Sequence, residues 1–92
     1  MIRSFCDKQT QALFDDQAVP AFRAIERVAR RKLLLLGQVR RLEELAVPPG
    51  NRLEALQGNR KRQHSIRIND QWRICFRWDD GDAFDVEIVD YH

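Results

Sequence analysis

The sequence predicts an α+β fold, two N-terminal helices packed on a curved, mostly antiparallel sheet in the order β-α-α-β-β-β-β. Three observations lead there. In the last third, Trp72, Ile74, Phe76 and Trp78 alternate with Arg73, Cys75 and Arg77, and Phe84, Val86 and Ile88 alternate with Asp85 and Glu87. That period of two lays one apolar face of a hairpin on a core. In the first half, Ile25, Val28, Leu35, Val39 and Leu42 recur at three- and four-residue steps, with Phe22, Ala29 and Leu36 widening the stripe. That is the mark of an amphipathic helix. Between them, clusters of Pro, Gly, Asn and Asp break the chain into short strand candidates.

Taken in order, Met1 to Phe5 is a short strand candidate. Asp7 suits the N-cap of a helix running to about Asp16, with Ala12, Leu13 and Phe14 on its apolar side. Pro20 fits the first turn of the second helix. Gly37 disfavours that helix by about 1 kcal/mol relative to alanine, so a bend or weak point is expected there. Val47-Pro48-Pro49-Gly50-Asn51 is a firm stop. Arg52 to Leu56 is a strand candidate, followed by the turn Gln57-Gly58-Asn59. Arg60-Lys61-Arg62-Gln63-His64 is the densest basic cluster and leads into the strand Ser65 to Ile68, with Ile66 and Ile68 inward. Asn69-Asp70 reverses the chain into the final hairpin, whose turn is Asp79-Asp80-Gly81-Asp82. A turn centred on Gly81 sets Arg77 opposite Asp85, an opposite-charge cross-strand pair.

At 92 residues the chain reads as one small domain, 1–92, able to form a core without staples. A third of its residues are charged, yet the net charge is only +2, with basic residues concentrated from Arg23 to Arg73 and acidic ones from Asp79 to Asp90. A basic middle suits a polyanionic or acidic partner, although a solvated surface would look the same. Cys6 and Cys75 stand in no metal-ligand spacing, so neither a zinc site nor a disulfide is expected. The opening MIRSFCDKQT holds no apolar leader and Leu33 to Leu36 is too short to span a bilayer. A cytoplasmic protein with no membrane association is expected.

The chemistry-bearing residues gather late in the chain. Metal-free RNA cleavage requires a base for the ribose 2′-hydroxyl, an acid for the departing 5′-oxygen and a cation over the phosphate. Asp90 or Glu54 could be the base, His92 the acid or base, and Arg73 the cation, since a guanidinium meets two phosphate oxygens at once. Tyr91 could stack on a base or cap the core. Each also has a structural explanation: Arg73 could pair with Asp85 or Glu87, Glu54 could face solvent, and His64 reads as a surface or half-buried strand residue. Strand parity puts Asp90 and His92 on the face of Val86 and Ile88, and Tyr91 on that of Glu87.

The opening MIRSF, the stretch PPGNRLEALQGNRKRQHSIRINDQWRICFRW and the close GDAFDVEIVDYH together resemble the HigB toxins of toxin–antitoxin systems, within the RelE/ParE superfamily. The likeness runs through essentially the whole chain and is most specific in NDQWRICF and the terminal DYH. It implies a RelE-like, microbial-RNase-like fold and a ribosome-dependent, metal-independent endoribonuclease that needs no cofactor and cuts messenger RNA. By that resemblance Asp90, Tyr91 and His92 match the catalytic triplet, and Arg73 the arginine after the sheet tryptophan. Arg60, Lys61 and Arg62, flanked by Gln57 and Gln63, match the turn that meets RNA. The implied partner is a HigA-type antitoxin, a helix-turn-helix protein through which the toxin meets operator DNA only indirectly. Two positions depart: Glu54 stands where some members have histidine, and Gln57 where they have lysine. Glu54 could serve as a carboxylate base or be a spectator, and the basic turn could replace the lost lysine. Two other readings stay open: a gyrase poison of the ParE kind, and an RNA-binding module without cleavage.

Overall fold

A computed structural model describes residues 1–90; Tyr91 and His92 lie outside the described residues. Two helices, α1 (Lys8–Phe14) and α2 (Glu26–Gln38), cover one face of a four-stranded antiparallel sheet. The strands are β1 (Glu54–Ala55), β2 (Gln63–Arg67), β3 (Trp72–Asp79) and β4 (Asp82–Asp90), adjacent in sequence order. The expected α+β class and element order therefore hold, with differences at several ends.

The N-terminal segment is not a regular strand. It runs parallel to β4 and makes isolated bridges, Ile2 to Ala83 and Phe5 to Val86. Between the two bridges β4 carries a bulge against β3, where Asp85 takes a left-handed φ of 54° and the ladder uses one more residue on β4 than on β3. The Asp85 amide, displaced from the ladder, donates to the Ser4 hydroxyl at 2.8 Å.

Asp7 caps α1 as expected: its carboxylate accepts from the Thr10 amide (3.0 Å) and the Thr10 hydroxyl (2.7 Å). The same hydroxyl accepts from the Ile88 amide at 3.1 Å, fastening the helix start to β4 with Thr10 fully buried. Helix α1 ends at Phe14 rather than Asp16, where φ is 65°. Arg30, one of the basic residues of the middle stretch, reaches back to it. Its guanidinium donates to the Leu13 carbonyl (3.1 Å) and the Gln17 carbonyl (2.6 Å), and pairs with Glu26. The Leu13 carbonyl also accepts from the Asp16 amide at 3.2 Å, so Arg30 adds a second donor there and ties the helix end to the loop that follows it.

The single long helix read between Pro20 and Leu42 is three pieces. Pro20–Ile25 is a 3₁₀ turn, α2 follows, and Leu42–Ala46 is again 3₁₀ after Val39 turns extended. Glu44 terminates the break by accepting from the Arg40 and Arg41 amides at 3.0 and 2.8 Å, which holds its carboxyl below the usual range. The buried stripe is Ile25, Ala29, Leu33 and Leu36, so Leu33 joins it while Val28 and Leu35 flank it half-buried. These residues pack on Ile66, Ile74, Phe76, Val86 and Ile88 from the sheet. In the proline-rich stop, Asn51 is 1% exposed and donates to the Leu45 and Val47 carbonyls, tying that loop to the core.

The hairpin closes through Asp80 (φ 49°) and Gly81 (φ 82°), both left-handed, the two-residue turn that matches strand twist. Near this turn Arg77 lies opposite Phe84, not Asp85; beyond the Asp85 bulge the register shifts by one, so Cys75 faces Glu87. The Arg77–Asp85 pair still forms diagonally at 3.5 Å, with the Arg77 guanidinium over the Phe84 ring. The bulge also moves Ala83 inward in place of Phe84, which is half-buried. Strand β1 has two residues rather than five because Arg52 is left-handed (φ 45°).

Candidate RNA-facing site on the open sheet face

With the helices on one side, alternation sends Glu54, Ser65, Arg73, Cys75 and Glu87 to the other. Despite lying on the uncovered face, Ser65 and Cys75 are fully buried and Arg73 is 8% exposed. Arg73 is held from three sides. Its Nε donates to the Ser65 hydroxyl at 2.7 Å and its Nη2 to the Arg52 carbonyl at 2.6 Å, while Nη1 lies 3.9 Å from the Glu54 carboxylate. The left-handed turn at Arg52 is what aims that carbonyl at the guanidinium. Among the described residues the pairing of Arg73 with Asp85 or Glu87 that the sequence allowed does not form: Asp85 pairs with Arg77, and Glu87 with Arg60.

The basic turn folds beside this group. Arg60, in a short 3₁₀ segment (Gly58–Arg60), is half-buried; its Nη1 contacts the Glu87 carboxylate and donates to the Gln63 side-chain oxygen, both at 3.1 Å. Lys61, Arg62 and Gln57 are exposed, and Arg62 is left-handed at φ 79°. Burial pushes the Cys75 thiol up, Arg60 and Arg73 oppose that and Glu87 adds to it, so Cys75 is a packed floor, not a nucleophile. Glu54 is the accessible carboxylate, its side chain 52% exposed beside Arg73.

The sheet thus brings together Arg73, Glu54, Arg60 and Gln63, with Lys61 and Arg62 at the rim. Asp90 stands at the end of β4. The register pairs Asp90 with Trp72, so alternation sets it on the side of Ile88 and Trp72, one residue along from Val89, the cross-strand partner of Arg73 on the other side. Its carboxylate accepts from the Gln71 side chain at 3.1 Å. Tyr91 and His92 fall outside the described residues. His64 is a half-buried strand residue, its ring stacked 6.2 Å from Phe76 and its Nδ1 buried with no hydrogen-bond partner among the described residues. Burial pulls its pKa below the usual imidazole value.

The sequence offered Glu87 only as a possible partner of Arg73, not as a site residue. Strand parity already set it on the face of Arg73 and Cys75, and that was the signal available for it.

Comparison with known proteins agrees with this architecture. Over 90 residues the chain is 38% identical to Toxin HigB-1 of Vibrio cholerae serotype O1, covering 94% of this chain and 93% of that one. It is 33% identical to Endoribonuclease HigB of Proteus vulgaris, with both chains covered in full. Among solved structures, the YoeB–YefM complex from Staphylococcus aureus shares the fold, with a TM-score of 0.53 at 17% identity over 100% of this chain and 98% of that one. The model of the HigB-like toxins matches residues 3–92, and the chain belongs to that family, the RelE-like toxins of type II toxin–antitoxin systems.

Proposed function

We propose that this toxin is an endoribonuclease that cuts messenger RNA on the ribosome by acid–base chemistry and is neutralised by a HigA-type antitoxin. The observation that carries this is the anchored Arg73 guanidinium beside an accessible carboxylate, Glu54, next to the Arg60–Arg62 turn. Supporting it, a relative identical at one position in three is named Endoribonuclease HigB. An antitoxin partner is supported by the family's description and by the structural neighbour, a YoeB–YefM complex.

In the proposed reaction the 2′-oxygen attacks the adjacent phosphorus as a base removes its proton. The O2′–P bond forms, the P–O5′ bond breaks, and the departing 5′-oxygen receives a proton, leaving a 2′,3′-cyclic phosphate. Glu54 and Asp90 are the candidate bases, His92 the candidate acid or base, and Tyr91 the third member of the proposed C-terminal triplet. Arg73 supplies positive charge to the phosphate; its bonds to Ser65 and Arg52 hold it in place, so little reorganisation is needed as charge builds. Arg60, Lys61 and Arg62, with Gln57 and Gln63, hold the flanking backbone.

The test is cleavage of messenger RNA by the purified toxin with programmed ribosomes, mapped by primer extension. Asp90→Ala and His92→Ala are expected to abolish internal cuts and relieve growth arrest on expression. Full cleavage in both variants would overturn the site, and equal cutting of naked messenger RNA would overturn the ribosome requirement. A DNA-damage response with intact transcripts would overturn the nuclease reading altogether.

A further inference from the structure

A second surface lies on the helix side of the sheet. A groove of about 700 Å³ runs between α2 and the proline-rich loop, reaching the end of β2. Its apolar lining is Val28, Leu34, Leu35, Pro48 and Ile68. Leu34 is 53% exposed, an uncommon placement for a leucine inside a helix whose buried stripe is already complete.

The rim is cationic. Arg31, Lys32 and Arg67 border the groove, and Arg23 and Arg27 continue the basic surface along α2. Among the described residues no carboxylate lies within ion-pair distance of Arg23, Arg27, Arg31 or Lys32. Glu26 is taken up by Arg30, and Asp70 by Arg67. The Lys32 ammonium donates to the Arg67 carbonyl at 2.6 Å; burial lowers its pKa first, and the like charges of Arg31, Arg67 and Arg73 lower it further. A concentration of cations around a partly dry apolar floor is unfavourable by itself and is relieved by an anion that also brings apolar surface.

The geometry points to this groove as the docking site of an acidic, leucine-bearing helical segment of a partner protein. Its apolar side chains would seat against Leu34 and Leu35, and its carboxylates would meet Arg31, Lys32 and Arg67. RNA is the other polyanion that could meet such a rim, but its phosphate and sugar offer nothing to the aliphatic floor. The Leu34 part of the groove can be separated from RNA cleavage, because α2 packs on the sheet face opposite to Arg73 and Cys75, whereas Arg67 stands directly across from Arg73 in the sheet.

The probe is a roughly 15-residue fluorescent peptide with leucines at i, i+4 and i+7 and glutamate at most other positions. Its anisotropy is titrated with the full-length toxin. Binding that weakens about tenfold in Leu34→Asp and in Arg31→Glu, and falls with added salt, is expected. A peptide with lysine in place of glutamate should regain affinity for the Arg31→Glu, Lys32→Glu double variant. Circular dichroism confirms that each variant is folded, and Leu34→Asp should cut RNA at the unaltered rate. No peptide binding by the folded wild-type chain would overturn the proposal. So would peptide binding indifferent to Leu34, or self-association of the toxin through Leu34 that excludes the peptide. A single-stranded RNA oligonucleotide whose binding is lost in Arg31→Glu while the peptide's is not would assign the rim to RNA instead.

Discussion

Replacing Arg73 by lysine keeps the charge and removes the fork. The guanidinium spans Ser65 and Arg52 simultaneously, at 2.7 and 2.6 Å, from a position only 8% exposed. Hydrogen bonds from a charged donor contribute about 1.5–3 kcal/mol each, and one ammonium can recover about one of the two. The net loss is therefore about 2 kcal/mol. For a chain this small, with a urea slope of about 1 kcal/mol per molar, the unfolding midpoint falls by about 2 M. Cleavage falls further than stability, by about a hundredfold or more in kcat, because the charge no longer sits where the pentavalent phosphate needs it. Urea unfolding followed by tryptophan fluorescence, and single-turnover cutting on ribosomes under conditions where both proteins are folded, measure the two effects. A folded Arg73→Lys variant with wild-type midpoint and wild-type cutting would refute both the anchoring and the catalytic assignment.

Thr10→Val keeps shape but leaves the buried Ile88 amide without an acceptor and removes a donor from Asp7; it should reduce stability by about 2 kcal/mol, read by thermal unfolding. The depressed pKa of His64 means that the unfolded chain binds its proton first as pH falls. Its contribution is fully present above the ordinary imidazole pKa and is lost as pH drops below about 6.5. His64→Gln should flatten the fall in stability between about pH 7 and 5, measured by urea midpoints across that range. Gly81→Ala forces a left-handed φ of 82° on a side chain whose Cβ would lie 3.3 Å from the Arg40 carbonyl. A loss of about 1–2 kcal/mol in chemical denaturation is expected.

Much of this fold was legible because its strongest signals were redundant. The β3–β4 hairpin announced itself through a strict period of two and through Asp80-Gly81, whose residue types suit the left-handed turn. The bulge was not legible. Aspartate tolerates positive φ, but nothing local marks Asp85 as the place, and a shift of one residue exchanges Phe84 for Ala83 at the core. The helical stripe misled in another way. With Leu33 to Leu36 consecutive, any of several faces could be called apolar, and a 3₁₀ turn over Pro20–Ile25 satisfies a three-residue spacing as well as an α-helix does. At the site, Glu54 and Arg73 converge from the two strands that flank β2, and the basic turn joins β1 to β2 beside them. Which carboxylate meets which arginine followed from the register, and so Glu87 went to Arg60 and Glu54 to Arg73.

The hydroxyl of Ser4 caps an amide that β4 would otherwise present outward, the first residues bond to Ala83 and Val86 on either side of it, and Thr10 takes the Ile88 amide. At the opposite border β1 is only two residues long. Both flanks of an apolar sheet are thereby denied to an incoming chain, which keeps strand addition between toxin molecules from competing with folding. Removing Met1 to Phe5 would uncover the Ala83 to Val86 half of β4 and turn a self-limited sheet into a template for polymerisation.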